Sequence, residues 1–120
     1  MWDSLATPEF DSGPWATISS GMKVHTKRGR VVIAEGYLGL LRENGDLIAS
    51  APVASVELKK GFTYSMTSIP KLVVSGTKYQ VMLSWEKSID SGLGDQQAKD
   101  IQFEENEKLE TVIRTLGGKA

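Results

Sequence analysis

The sequence predicts a mostly-β (α+β) domain in which seven short antiparallel strands are followed by one C-terminal helix. Three observations predict it. Short alternating or β-branched apolar runs recur from Met22 to Trp85, separated by Gly, Asn and Pro turn signals. One helical stripe stands near the C-terminus, with Leu109, Val112, Ile113 and Leu116 at i, i+3, i+4 and i+7. The chain has 120 residues, enough for one sizeable core and too few for two.

Residues 1–14 read as an irregular arm, because Pro8, Gly13 and Pro14 break regular structure. Trp2, Phe10 and Trp15 are large aromatics for such a segment and are expected to pack back over the core as a lid. Residues 15–120 read as a single domain. Met22 to Thr26 alternates as a first strand, Lys27-Arg28-Gly29 reads as a turn, and Val31 to Ala34 is an apolar, β-branched buried strand. Glu35-Gly36 turns the chain into Tyr37–Leu41. Asn44-Gly45 signals a type I′ hairpin into Leu47–Ala51, where Pro52 ends the strand for want of an N–H.

Val53 to Leu58 resumes alternation, and Phe62–Met66 is a weaker strand. Leu72–Val74, Ser75-Gly76-Thr77 and Tyr79–Trp85 form a strand, a turn and a strand. Residues 87–96 are polar and read as a loop. Ile101 and Phe103 alternate, so a short strand is expected to end near Phe103. The helix is then placed at about Glu104 to Leu116. Glu104, Glu105 and Glu107 fall in its first turn, where the helix dipole favours negative charge. Gly117-Gly118 stops it.

The absence of cysteine excludes a disulfide scaffold, a thiolate metal site and a cysteine nucleophile, and suits the cytoplasm. Met1-Trp2-Asp3-Ser4-Leu5 has neither a basic n-region nor an apolar h-region, so no secretory signal is expected. The net charge of −1 argues against nucleic acid as a partner. The charge is nevertheless segregated. Residues 21–78 hold nine Lys or Arg against four acids, while residues 1–20 and 79–120 are both acidic on balance.

The segment from Gly21 to Lys60 carries a family resemblance. A glycine-led strand (Gly21-Met22-Lys23-Val24) is followed by Gly29-Arg30-Val31-Val32-Ile33, then Tyr37-Leu38-Gly39-Leu40-Leu41, a polar hairpin, and the Pro-containing Ala51-Pro52-Val53-Ala54-Ser55-Val56. With Tyr79–Trp85 and the terminal helix, this resembles the pleckstrin-homology (PH) superfold, in particular the bacterial PH-like and GRAM-like domains, over residues 20–117. The resemblance implies a bent seven-stranded antiparallel barrel capped by one helix, and a non-enzymatic adaptor that binds a protein or peptide.

The resemblance also supplies the alternative. Many PH domains hold inositol phosphates between their first two strands with a Lys and a spaced basic pair. Lys23, Arg28 and Arg30 match that pattern, and Lys27 adds a fourth cation. Arg presents a planar fork to phosphate oxygens and Lys a point charge. The hairpin 23–30 would then bring the chain to anionic lipid head groups at the inner face of the membrane.

Enzymatic chemistry is not expected. There is no Gly-x-Ser-x-Gly, no Walker A sequence, and one histidine, His25, expected at the surface. Ser91-Gly92-Leu93-Gly94-Asp95 holds only a Gly-x-Gly in a loop. Asp90 and Asp95 lack the EF-hand ligand pattern, so neither a metal nor a cofactor is expected.

Overall fold

In a computed structural model of the chain, residues 8–61, 64, 69–84, 92 and 94–120 are described. They build β1 (Phe10–Asp11), β2 (Ala16–Ser20), β3 (Lys23–Ala34), β4 (Tyr37–Leu41), β5 (Leu47–Pro52), a 3-10 turn (Val53–Ser55), β6 (Glu57–Lys59), β7 (Lys71–Val74), β8 (Thr77–Met82) and α1 (Asp95–Thr115). Seven strands are hydrogen-bonded in the order β5-β4-β3-β2-β8-β7-β6, with β1 off this path and paired to β3. That is chain order read round a circle with one break, between β5 and β6. The architecture is therefore a curled antiparallel half-barrel with one C-terminal helix.

The curl comes from β3. Its first half pairs with β2, from Ser20↔Lys23 to Ala16↔Gly29, with two register shifts. Its second half pairs with β4 from Arg30↔Leu41 to Ala34↔Tyr37. There β1 takes over the place of β2 through Asp11↔Val32 and Phe10↔Ile33. The change of partners falls at Gly29, where a Cβ would lie 2.2 Å from the Leu41 carbonyl oxygen and 2.4 Å from Thr26 Cγ2. Lys27-Arg28-Gly29 is thus a bend inside a strand, and not a turn. The reversal lies earlier, at Gly21-Met22, with Gly21 at φ 57°. Glycine in a strand marks a bulge or a close backbone approach as readily as a turn, and this one marks both.

The remaining turns are mostly where the residues place them. Glu35-Gly36 (φ 52° and 82°) and Ser75-Gly76 (φ 51° and 82°) both place two successive residues at positive φ, as a type I′ turn requires. The hairpin at Asn44-Gly45 is present with a different turn. Gly45 is left-handed (φ 93°), its N–H donates to the Arg42 carbonyl at 2.9 Å, and Arg42 N–H donates to Asp46 O at 2.8 Å. This is a three-residue loop, stabilised by the Asn44 side chain accepting from Asp46 N–H at 3.0 Å. Val53 to Leu58 is not one strand. Val53–Ser55 coils as the 3-10 turn before β6 begins. Within Phe62–Met66 only Tyr64 is described, and Trp85 also lies outside the described residues.

The helix is longer than expected, at 21 residues. Residues near Ile101 and Phe103 belong to it and not to a strand. Its inward face is Ala98, Gln102, Asn106, Leu109 and Ile113, all buried. Two of these five are polar, which hides the stripe upstream of Leu109. Asn106 Nδ2 donates to the Tyr64 hydroxyl at 3.1 Å. The end is a Schellman stop: Gly117 at φ 95°, Gly118 N–H to Ile113 O at 2.8 Å, Gly117 N–H to Arg114 O at 3.2 Å. Lys119 then bridges in parallel to Glu57 on β6, donating to Val56 O at 3.0 Å and accepting from Leu58 N–H at 2.7 Å.

One core fills the curl. Ile18, Val31, Ile33, Leu38, Leu40, Val53, Leu72, Val81, Leu109 and Ile113 are all fully buried in it. Val112 and Leu116 pack against it from α1, so the predicted stripe is structural. Val32, Ala34 and Leu41 form a second buried cluster on the other face of β3 and β4.

The bend gives a direct expectation for stability. Replacing Gly29 by Ala forces a methyl into backbone and should cost about 1–3 kcal/mol or more. Urea denaturation of Gly29→Ala against Gly36→Ala checks this, because Gly36 has nothing near its missing Cβ and reports positive φ alone.

Candidate functional site

A groove of about 940 Å³ lies between residues 8–15 and α1. That is at the upper end of ligand-site volumes, about 300–1,000 Å³. Its apolar lining is Phe10 and Leu83, both buried, with half-buried Trp15, Ile101 and Val112. Its charged lining is Glu9 and Asp11 from the arm and Glu104, Glu105, Glu107 and Lys108 from the helix.

The arm is expected to be irregular, yet it forms a wall because β3 holds it. Glu9 N–H donates to Ile33 O at 2.8 Å, and Ser12 exchanges two bonds with Val31: its N–H to the Val31 carbonyl at 3.0 Å, and its hydroxyl accepting the Val31 N–H at 2.9 Å. Arg30 makes a forked contact to Asp11, with Nη2–Oδ2 at 2.5 Å and Nε–Oδ1 at 3.3 Å. The Arg28 guanidinium sits 5.8 Å from the Trp15 ring centroid. Phe10 packs into the core as the sequence suggests. Trp2 lies outside the described residues.

This placement divides the four basic residues expected at a hairpin tip. Arg28 and Arg30 grip the arm and stabilise the groove wall. Lys23 is exposed beside the Gly21-Met22 turn, and Lys27 is exposed further along the first half of β3. Met22 at that turn is fully exposed and Val24 is more than half exposed. The four cations therefore do not converge on one anion-sized space.

The acidic residues also read differently in place. Because α1 begins at Asp95, Glu104, Glu105 and Glu107 lie mid-helix and not in its first turn. The helix dipole acts over the terminal turn, so it does not account for them. The groove accounts for their position better. Their cluster is visible in the sequence, but its meaning depends on where the helix begins.

His25 is half-buried, and not a plain surface residue. Its Nε2 lies 2.7 Å from Ser20 Oγ, and its ring tilts against Tyr79 at a centroid distance of 5.6 Å. Desolvation, then Lys23 and Arg42, hold its pKa below the ordinary histidine value. A Ser–His contact is one half of a hydrolytic arrangement. Here the other ring nitrogen is buried with no hydrogen-bond partner, and the flanking charges are cations where a triad would place a carboxylate. Among the described residues, no three His, Asp or Glu side chains gather closely enough to hold a metal ion, and no helix is long and apolar enough to cross a membrane.

Compared with family models, curated proteins and solved structures, the chain matches none.

On the far side of α1, Glu110 ties three segments together. Its carboxylate meets Lys60 Nζ and Arg114 Nη2, each at 2.5 Å, and Arg114 also donates to Ala120 O at 3.1 Å. The Lys60 hydrogen bond, opposed by partial burial and helped by Arg114, holds the Glu110 carboxyl below its ordinary value. A depressed folded-state pKa means stability that is present above the unfolded value of 4.5 and lost as pH falls through the folded value. Because both cations are substantially exposed, Glu110→Gln should cost about 1 kcal/mol at neutral pH. Thermal melts in an acid series should show a smaller loss below pH 4.5 for the variant than for the parent.

Proposed function

We propose that the chain is a non-enzymatic, PH-like binding module that engages a segment of another protein in the groove between its N-terminal arm and α1. The observation that carries this reading is the groove itself. It combines volume, an apolar lining and a charged rim, and both of its walls are fixed by contacts to the sheet. The strand order supports the PH-like part. A bent, seven-stranded antiparallel sheet with one C-terminal helix is what the resemblance implies.

Binding here resembles helix-in-groove or extended-segment docking and needs no free sheet edge. The edge of β6 carries Lys119, and the Ser50 carbonyl on β5 accepts from Ser75 Oγ at 2.8 Å. Selection from a library of random peptides displayed on phage tests the reading. Thr111 is exposed and lines the groove, so Thr111→Trp plugs it without touching the core. Selected peptides should bind the parent and lose at least about tenfold in affinity for the plugged variant, a loss of the size expected when a central contact is blocked. Peptides that bind both proteins alike would overturn the groove as the site.

A second reading is favoured by one observation, the exposed Met22 and Val24 beside Lys23, with Lys27 exposed further along the same strand. An apolar tip with adjacent cations suits the surface of an anionic bilayer. Co-sedimentation with phosphatidylserine-containing vesicles, compared with phosphatidylcholine vesicles, should then fall for both Met22→Asp and Lys23→Ala/Lys27→Ala. Equal sedimentation with both vesicle types, or none with either, removes this reading.

A further inference from the structure

We propose, resting on the groove as the docking site, that its occupant is a cationic segment carrying two or more Lys or Arg side chains around an apolar one. Five carboxylates and one ammonium line the groove. Asp11 is neutralised by Arg30, and Glu105 by Lys108 at 3.3 Å. Glu9, Glu104 and Glu107 have no ion-pair partner among the described residues. All three are exposed, and they stand on both walls: Glu9 on the arm, Glu104 and Glu107 one helical turn apart.

The space between them is apolar at its base, so a docking segment dries the carboxylates as it fills the groove. An apolar or anionic occupant would leave three carboxylates desolvated and uncompensated, which is costly. An occupant with ammonium or guanidinium groups at that rim replaces the lost water with ion pairs, while its apolar residue meets Phe10 and Leu83. A bound metal ion would not serve. The acids are spread along two walls and do not gather into a coordination site. An extended polycation matches that spread, and opposite charge speeds its encounter.

The phage selection above provides the probes. Peptides whose binding Thr111→Trp weakens should be enriched in Lys and Arg. Their affinity, read by fluorescence anisotropy, should fall about tenfold for Glu9→Gln/Glu104→Gln/Glu107→Gln, since three exposed pairs together are worth about that much. Added salt should weaken the parent and affect the triple variant less. Glu9→Gln alone, which leaves the helix untouched, should give a smaller loss in the same direction. If plug-sensitive peptides are neutral or acidic, or bind the triple variant as they bind the parent, the cationic occupant is wrong while the groove stands. If no selected peptide responds to Thr111→Trp, the groove falls, and this inference with it.

Discussion

At Gly29 the backbone of β3 passes so near the Leu41 carbonyl that a Cβ would lie 2.2 Å from its oxygen, and the curl of the sheet depends on this approach. A side chain there would push β4 away from β3. Without that contact β3 could not leave β2 and continue beside β4 and β1. The bend turns one sheet into two faces of a single interior, so that Ile18 and Val81 meet Ile33 and Leu40. It also aims the residues on either side of it. Arg28 and Arg30 flank Gly29, and both reach the N-terminal arm, one by stacking on Trp15 and one by pairing with Asp11. The wall of the groove is in this sense an extension of the bend.

A meander curled in this way leaves one break, between β5 and β6, and the C-terminal segment packs beside it, against the 3-10 turn and β6. Leu109 and Ile113 are fully buried there, each worth roughly 1.5–3 kcal/mol at the upper end. Gly118 sits where a Cβ would lie 2.6 Å from the Val53 carbonyl oxygen and 2.9 Å from that of Val56. Its lack of a side chain lets the chain pass the 3-10 turn and reach β6. The Glu110 pairs with Lys60 and Arg114 hold the same region from outside. The helix therefore has two faces with separate duties. Leu109, Val112 and Ile113 close the barrel, while Glu104, Glu107 and Thr111 border open space.

Strands β3 to β5, β7 and β8 and the C-terminal half of the helix were legible from apolar runs or alternation, whereas β2 (Ala16–Ser20) was not, since Ala16 and Ile18 are its only apolar residues. Val31–Ala34, Tyr37–Leu41, Lys71–Val74 and the stripe from Leu109 to Leu116 needed nothing more. What else was not legible depended on glycine and on polar core residues. Gly29 reads as a turn from local sequence alone, since only the opposing Leu41 carbonyl distinguishes a bend from a reversal. Gln102 and Asn106 are buried amides on the helix, and periodicity counts them as exposed, so nine residues of helix upstream of Glu104 were lost with them. The basic run 23–30 was visible. Its division was not, because Asp11 and Trp15 are brought to Arg30 and Arg28 by the tertiary fold. The same misplacement of the helix start disguised the groove acids as ordinary dipole partners.

The parallel bridge of Lys119 to Glu57 has a consequence for how the chain is made. Neighbouring strands of the meander are close in sequence except for the pair of β2 with β8, where Ser19 and Gln80 are separated by 61 positions. Pairings this distant slow folding, because loop-closure entropy is lost before any contact rewards it. During synthesis, β2 to β5 can form a twisted sheet early, with its apolar face uncovered. That face stays open at the break until the segment through Lys119 has left the ribosome. The nascent domain is therefore most exposed to aggregation and to chaperone capture just before its last turn of helix appears.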